Sequence, residues 1–304
     1  MQLTIMEFFQ KMSSPFLDKV FEIITMFGEE TVFILAVAFF LWCASKKHGF
    51  VIFSSLFTSL IGMSALKAII RAPRPFQVVP EIAGKRIATA TGYSFPSGHT
   101  TGAASFYSAL AVTYRKRWLS IISALLILLV AISRLYLGVH WPLDVFAGLA
   151  LGITVTFVAY RWFDNLYDKP KNLHNFSLLV GSVSLILALL LVFLIELGIA
   201  DPIGFSDPMK LFSLAAGGYL GFAWDQRNIQ YSTEGTTLLK ILRLALGLII
   251  LVAIQALKLV LGPHSAVAFF RYALTGVWAT ALYPFIGTKI RIGKTTHLFE
   301  TSHT

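Results

Sequence analysis

The feature that most limits what this chain can become is a succession of apolar stretches, near 31–44, 49–70, 98–114, 118–137, 142–160, 176–197, 210–224, 239–261 and 266–286. Polar residues, glycine and proline separate them. A helix of about 20 apolar residues crosses the hydrocarbon layer, and lipid obliges each crossing segment to satisfy its own backbone groups. Only 13% of the 304 residues are charged, against about 25% in an average soluble domain. The expected fold is therefore all-α, a polytopic transmembrane helical bundle of about nine spans, and repetition on this scale excludes one large soluble core. Residues 3–27 mix Phe, Ile, Leu and Met with Glu7, Lys11, Asp18, Lys19 and Glu22. That mixture predicts an amphipathic helix lying along the interface ahead of the first span.

Net charge is +10, from 25 Lys and Arg against 15 Asp and Glu. In a soluble protein this balance raises nucleic acid as a partner. Here the cations sit in short loops, where membrane orientation accounts for them and no nucleic acid is implied. Lys46 and Lys47, Arg115 to Arg117, Arg161, Lys169 and Lys171, Arg227, Lys240 and Arg243, then Lys289, Arg291 and Lys294 fall on one side. That side is assigned to the cytoplasm, with the C-terminus. The opposite side carries Asp201 and Asp207, with one exception: the 71–96 loop holds Arg71, Arg74, Lys85 and Arg86. The basic stretch 161–175 divides the chain into a membrane core, 1–165, and an appended C-terminal transmembrane unit, 175–304, of about four spans. Cys43 is the sole cysteine, which rules out an intramolecular disulfide and a cysteine metal cluster. The N-terminal sequence lacks the pattern of a cleaved secretory signal.

Three clusters carry chemistry, and on the nine-span reading all fall at the non-cytoplasmic ends of the helices. In the first, Lys67 ends the second span and is followed after six residues by Arg74-Pro75; Pro73 and Pro75 take the backbone out of the helix. A lysine at a helix end is ordinarily an interface cation. In the second, Pro96-Ser97-Gly98-His99 precedes an apolar helix; Ser97 reads as an N-cap, and the free N–H groups of the first turn can cradle an anion. In the third, Ser133-Arg134 is followed by His140 and then Asp144, with Pro142 opening the next helix. His140 and Asp144 are one turn apart, so the carboxylate can hold one imidazole nitrogen and leave the other lone pair to attack.

Taken together, K-x6-R-P, P-S-G-H and S-R-x5-H-x3-D resemble, without a departure, the three-part pattern of the type-2 phosphatidic acid phosphatase family. The motifs run from residue 67 to 144, and the family core would cover roughly 20–165. The resemblance implies a metal-independent phosphoric ester or diphosphate hydrolase without a cofactor. Its substrate would be a lipid phosphate whose tails stay among membrane lipids. It also implies roles. His140 attacks phosphorus and becomes a phosphohistidine, Asp144 orients His140, and His99 protonates the leaving oxygen. Lys67, Arg74, Arg134, Ser97 and the Gly98 amide hold the nonbridging oxygens. Vanadate, a phosphate mimic, would inhibit. The expected setting is a bacterial plasma membrane, with the site on the non-cytoplasmic face.

Several residues fall outside this pattern. Glu196 and Lys258 read as snorkelling or paired groups; Lys258, His264 and Arg271 are weaker candidates for an anionic head group. Gly148 and Gly152 read as a helix-packing pair, and Asn175 lies in an acceptor triplet for glycosylation on the cytoplasmic side, where it is expected to stay unmodified. Three other activities share some of these features. A glucose-6-phosphatase-like enzyme would act on a soluble ester, a vanadate haloperoxidase would use a similar anion site, and an anion transporter would bind without hydrolysing. Oligomeric state and the identity of the lipid are not written in the sequence.

Overall fold

The structure, a computed structural model, describes residues 1–295. Helices dominate: α1 (Gln2–Lys11), α2 (Pro15–Met26), α3 (Glu30–Phe39), α4 (Lys46–Ile70), α5 (Pro75–Val78), α6 (Gly98–Tyr114), α7 (Arg117–Tyr136), α8 (Pro142–Tyr167), α9 (Pro170–Glu196), α10 (Pro202–Asn228), α11 (Thr237–Ala256), α12 (Lys258–Leu261), α13 (Ser265–Val277) and α14 (Tyr283–Lys289). One two-residue antiparallel ladder pairs β1 (Tyr231–Ser232) with β2 (Lys294–Thr295). The fold is all-α apart from that pairing.

Helix covers all nine apolar stretches, but the count of nine spans is not confirmed. By length and apolar composition, five helices among the described residues qualify as membrane-crossing, or six if α2 and the 30–44 helix, bent by 45°, form one broken span. The shortfall has physical causes. α6 has only 17 residues, and Thr100 to Ala109 are all buried, so it faces protein rather than lipid. α10 is glycine-rich and carries Asp207, Lys210 and Asp225. After α13 the helix widens into a π turn at Trp278–Leu282. The single amphipathic helix expected over 3–27 is two helices, broken where Ser14 caps α2 by accepting from the Leu17 N–H at 3.3 Å and Pro15 takes the first helical position. The C-terminal end, expected on the cytoplasmic side, lies outside the described residues.

The chain forms two compact units, whose boundaries differ from a single division at 165–175. The first comprises 1–34, 51–163 and 202–207; the second comprises 35–50, 164–201 and 208 onward. In the first unit α6 packs on α7, and α7 on α2. Polar side chains join its helices from within: Ser59 on α4 donates to Ser105 on α6 at 3.0 Å, and Ser105 meets Thr156 on α8 at 2.8 Å. Such hydrogen bonds hold helices together where the hydrophobic effect between them is weak. Gly148 brings α8 against the start of α6, where a Cβ would sit 2.9 Å from the Ser97 carbonyl oxygen. This approach is how the Asp144 end of α8 reaches the Ser97 cap.

In the second unit, a π turn at Phe40–Ala44 places Trp42, which is fully buried, against Tyr283 at 4.5 Å between ring centroids, and its indole donates to the Ala279 carbonyl at 2.8 Å. Arg243, also fully buried, donates to the carbonyls of Ile292 and Glu234. Lys46 pairs with the buried Asp225, which also accepts from the Tyr231 N–H at 3.2 Å.

Candidate active site

The first unit gathers Lys67, Arg74, Ser97, Arg134, His140 and Asp144 in its buried interior. The chain leaves α4 at Ile70, turns through Pro73 and Pro75, and presents Arg74 as the residue before α5. The Arg74 guanidinium donates to the carbonyls of Thr91 (2.6 Å), Gly92 (3.1 Å), Tyr93 (3.4 Å) and Val139 (2.9 Å). Lys67 donates to that same Tyr93 carbonyl. Two cations are thus fastened on one short run of backbone.

His140 stands in the connection between α7 and α8, with Arg74 Nη1 3.1 Å from its Nε2. A guanidinium can only donate, so Nε2 is the unprotonated nitrogen and Nδ1 carries the hydrogen. That Nδ1 faces Asp144 Oδ2 at 3.4 Å and Ser94 Oγ at 3.5 Å. Burial first, and then the charges of Arg74, Arg134, Lys67 and His99, push the His140 imidazole well below the usual histidine range. The ring is held neutral with its lone pair on Nε2. Asp144 Oδ2 also accepts from the Trp141 N–H at 2.8 Å and from the Ser94 hydroxyl, so the carboxylate is fixed from three directions.

Ser97 is the N-cap of α6: its hydroxyl accepts from the Thr100 N–H at 3.4 Å, and its own N–H donates to the Asp144 carbonyl at 3.0 Å. The N–H groups of Gly98 and His99, first in the helix, have no intrahelical acceptor. A Cβ on Gly98 would meet only Met63 Cε at 3.6 Å, an ordinary contact. Packing within the chain therefore does not demand glycine at 98.

Of the eight residues singled out from sequence, Arg74, His140 and Asp144 are the ones linked to one another through their side chains, and two others are left with buried unpartnered atoms. His99 has its Nε2 buried without a partner, and Arg134 reaches only Thr25 Oγ1, at 2.6 Å, leaving Nε and Nη2 buried and unpartnered. Arg134 still acts on His140 through its charge. The sequence reasoning missed Ser94, Thr25 and Thr91. Each is a common residue type, and their partners lie 50, 109 and 116 positions away. Of the weaker candidates, Arg271 belongs to the second unit and donates to Gln255 Oε1; Gly148 and Gly152 pack against α6.

The basic exception in the 71–96 loop now has a cause. Arg74 belongs to the cluster, Lys85 pairs with Asp18, and Arg86 pairs with Glu29 and donates to the Glu22 carbonyl at 2.6 Å. Lys85 and Arg86 thus answer to α2 and its end, while Arg71 donates to the Ala68 carbonyl at 3.0 Å.

A buried histidine and carboxylate thus lie among three cations in a bundle of apolar helices. Residues 48–168 match the PAP2 superfamily, and residues 209–295 match the transmembrane extension of PAP2 superfamily phosphatases. The chain belongs to the PAP2 superfamily and is an integral, multi-pass membrane protein. It is 32% identical over 140 residues to an undecaprenyl-diphosphatase of Sulfolobus acidocaldarius, covering 45% of this chain and 66% of that one. With a probable sphingosine-1-phosphate phosphatase of Dictyostelium discoideum it shares 34% over 159 residues, covering 48% and 38%. An undecaprenyl-diphosphatase of Bacillus subtilis is 28% identical over 153 residues, covering 49% and 77%. The chain thus spans a little under two thirds of the first of these relatives and well under half of the second.

Proposed function

We propose that this protein is a membrane phosphatase that removes phosphate from a lipid phosphate monoester or diphosphate through a phosphohistidine. One observation carries the reading: Arg134 Nε and Nη2 and His99 Nε2 are buried without partners beside a neutral His140 whose lone pair lies on Nε2. Buried polar atoms are almost always hydrogen-bonded, and a phosphoryl group supplies the acceptors these atoms lack. The relatives named above all act, by name, on phosphate carried by a lipid, and they differ in which lipid.

His140 Nε2 forms the bond to phosphorus as the bond from phosphorus to the leaving oxygen breaks, and His99 delivers a proton to that oxygen. Asp144 keeps the hydrogen on Nδ1 and stabilises the cation that develops on the ring; Ser94 and the Trp141 N–H hold the carboxylate in place. Lys67, Arg74 and Arg134, with Ser97 and the Gly98 N–H, stabilise the nonbridging oxygens. Water then attacks phosphorus, His99 takes its proton, and the bond from phosphorus to His140 breaks. No group of three metal-ligating side chains occurs among the described residues, and the reading assigns the chemistry to side chains alone. Activity that is lost in chelator and restored by a divalent ion would contradict that assignment.

The finer topology belongs to the same reading: nine crossings in a bacterial plasma membrane, the phosphatase core at 1–165, the added unit at 175–304, and the site on the non-cytoplasmic face. The basic loops support this orientation, and the enclosed position of α6 allows a short helix to cross. Because Cys43 is buried, an impermeant thiol reagent applied to intact cells should label Glu81→Cys, which is exposed in the 71–96 loop. Labelling only after permeabilisation would reverse the orientation.

The enzymatic test is phosphate release by purified protein from a polyprenyl diphosphate, a sphingoid base phosphate, a phosphatidate and a soluble sugar phosphate. His140→Ala should lower release by about 10⁴-fold or more, as loss of a covalent nucleophile does. Equal release by wild type and His140→Ala would end the proposal.

A further inference from the structure

The run Thr91-Gly92-Tyr93 is the backbone on which Arg74 and Lys67 are fastened, and it is itself tied at both ends. At one end the Ser94 N–H donates to the Ala72 carbonyl at 2.8 Å. At the other, Thr91 Oγ1 donates to Asp207 Oδ2 at 2.9 Å. Between them Gly92 takes a left-handed conformation, φ +67°, and a Cβ there would sit 3.2 Å from the Ile203 carbonyl. Ile203 and Asp207 lie in the first turns of α10, residues 202–207. These fall just before the stretch that matches the transmembrane extension, and they form part of the same compact unit as the cationic cluster.

We infer that the start of α10 is a brace for the phosphate-binding cations: Asp207, through Thr91, sets the 91–93 carbonyls on which Arg74 and Lys67 hang. Asp207 and Thr91 are positioning residues, since neither is assigned a contact with substrate. Three carbonyls of one tripeptide fix the guanidinium in a plane, and Arg74 Nη1 thereby reaches His140 Nε2. Movement of the tripeptide by a fraction of an ångström carries both cations with it. Asp207 accepts from the Thr91 hydroxyl, and its amide analogue, which keeps an acceptor oxygen, preserves that bond. The inference gives 202–207, far in sequence from the three motifs, a part in the same site. It rests on the proposed phosphatase reading, and the two fail separately.

The test uses the full-length protein in detergent and inorganic vanadate as the probe of anion binding. Thr91→Val and Asp207→Ala should each lower kcat/KM about three- to tenfold, the range for loss of one hydrogen bond, and should weaken vanadate inhibition by a similar factor. Thr91→Ser and Asp207→Asn should stay within about twofold of wild type, because each restores the missing partner. The double variant Thr91→Val with Asp207→Ala should be no worse than the more impaired single variant, as two residues acting through one bond require. Wild-type vanadate inhibition in both Thr91→Val and Asp207→Ala overturns the inference. So does impairment of Asp207→Asn equal to that of Asp207→Ala, which makes charge, not bracing, the cause. If Thr91→Val does not fold, Asp207→Ala against Asp207→Asn decides alone. Phosphate release that survives His140→Ala sinks the phosphatase reading instead and leaves the vanadate comparison to be judged by itself.

Discussion

Arg134 in the first unit and Arg243 in the second are buried to the same degree, and they use that burial differently. Arg243 donates to the carbonyls of Ile292 and Glu234 and lies 5.6 Å from the Tyr231 ring centroid. Its guanidinium ties chain segments 234, 243 and 292 together. Arg243 leaves one nitrogen, Nη1, without a partner, whereas Arg134 touches Thr25 through one nitrogen and leaves two, Nε and Nη2, without partners. A buried cation with unmet donors is costly, so its retention needs a reason outside the local packing. The contrast teaches how to read charge inside a membrane protein. What matters is how many of the donors the chain itself satisfies.

Exchange of each arginine for alanine is the sharpest way to break that comparison. Arg134→Ala should lower kcat/KM by about 10²- to 10³-fold, the range for a lost transition-state donor, with little loss of thermal stability. Arg243→Ala should leave two buried carbonyls unsatisfied and destabilise by about 2–5 kcal/mol, while the folded fraction keeps kcat/KM within a few-fold. Thermal unfolding in detergent, followed alongside phosphate release, separates the two. If the effects are interchanged, unmet donors do not mark function here.

The pH profile sharpens the same point at His140. Its imidazole is depressed by burial and by the cations around it, and attack requires the neutral ring. The acid limb of kcat/KM, which falls as pH drops through the free-enzyme value, should therefore lie well below the ordinary histidine value of about 6.5. Ser94→Ala, which removes a hydroxyl from Asp144 and leaves the cations in place, should lower kcat about tenfold, a typical cost for an unsupported carboxylate in a catalytic pair. An acid limb centred in the ordinary histidine range would remove the argument that the cluster holds His140 neutral.

Much of this site was legible in the sequence because its motifs sit where helices begin and end. Pro73 and Pro75 stop one helix, Ser97 caps another and Pro142 opens a third, so Lys67, His99 and Asp144 fall at helix mouths on local rules alone. Ser94, Thr25 and Thr91 obey no such rule. A serine or threonine in a loop is commonplace, and its meaning depends on which distant segment arrives beside it. The count of nine spans goes unconfirmed for a related reason. Apolar composition does not distinguish a helix that faces lipid from α6, whose Thr100 to Ala109 are all covered by protein. The π turns at 40–44 and 278–282 were likewise hidden, since their residues would serve equally well in ordinary helix.

The smallest expected effect concerns the cations of the 71–96 loop, where sequence reading saw four similar residues and the structure separates them. Lys85 is partly exposed, donates to Ser13 and pairs with Asp18 at the surface of α2. A surface ion pair contributes about 0–1 kcal/mol, and Lys85 makes no contact with the His140 cluster. Lys85→Ala should thus shift the thermal midpoint slightly and leave kcat/KM within about twofold of wild type, whereas Arg74→Ala in the same loop should cost at least about 10²-fold. Added salt should narrow the stability difference between Lys85→Ala and wild type, because exposed pairs are screened within a Debye length of about 8–10 Å. Equal losses of activity from Lys85 and Arg74 would mean that the loop acts as one electrostatic patch. The division between Arg74, which serves the reaction, and Lys85 and Arg86, which answer to Asp18 and Glu29, would then be wrong.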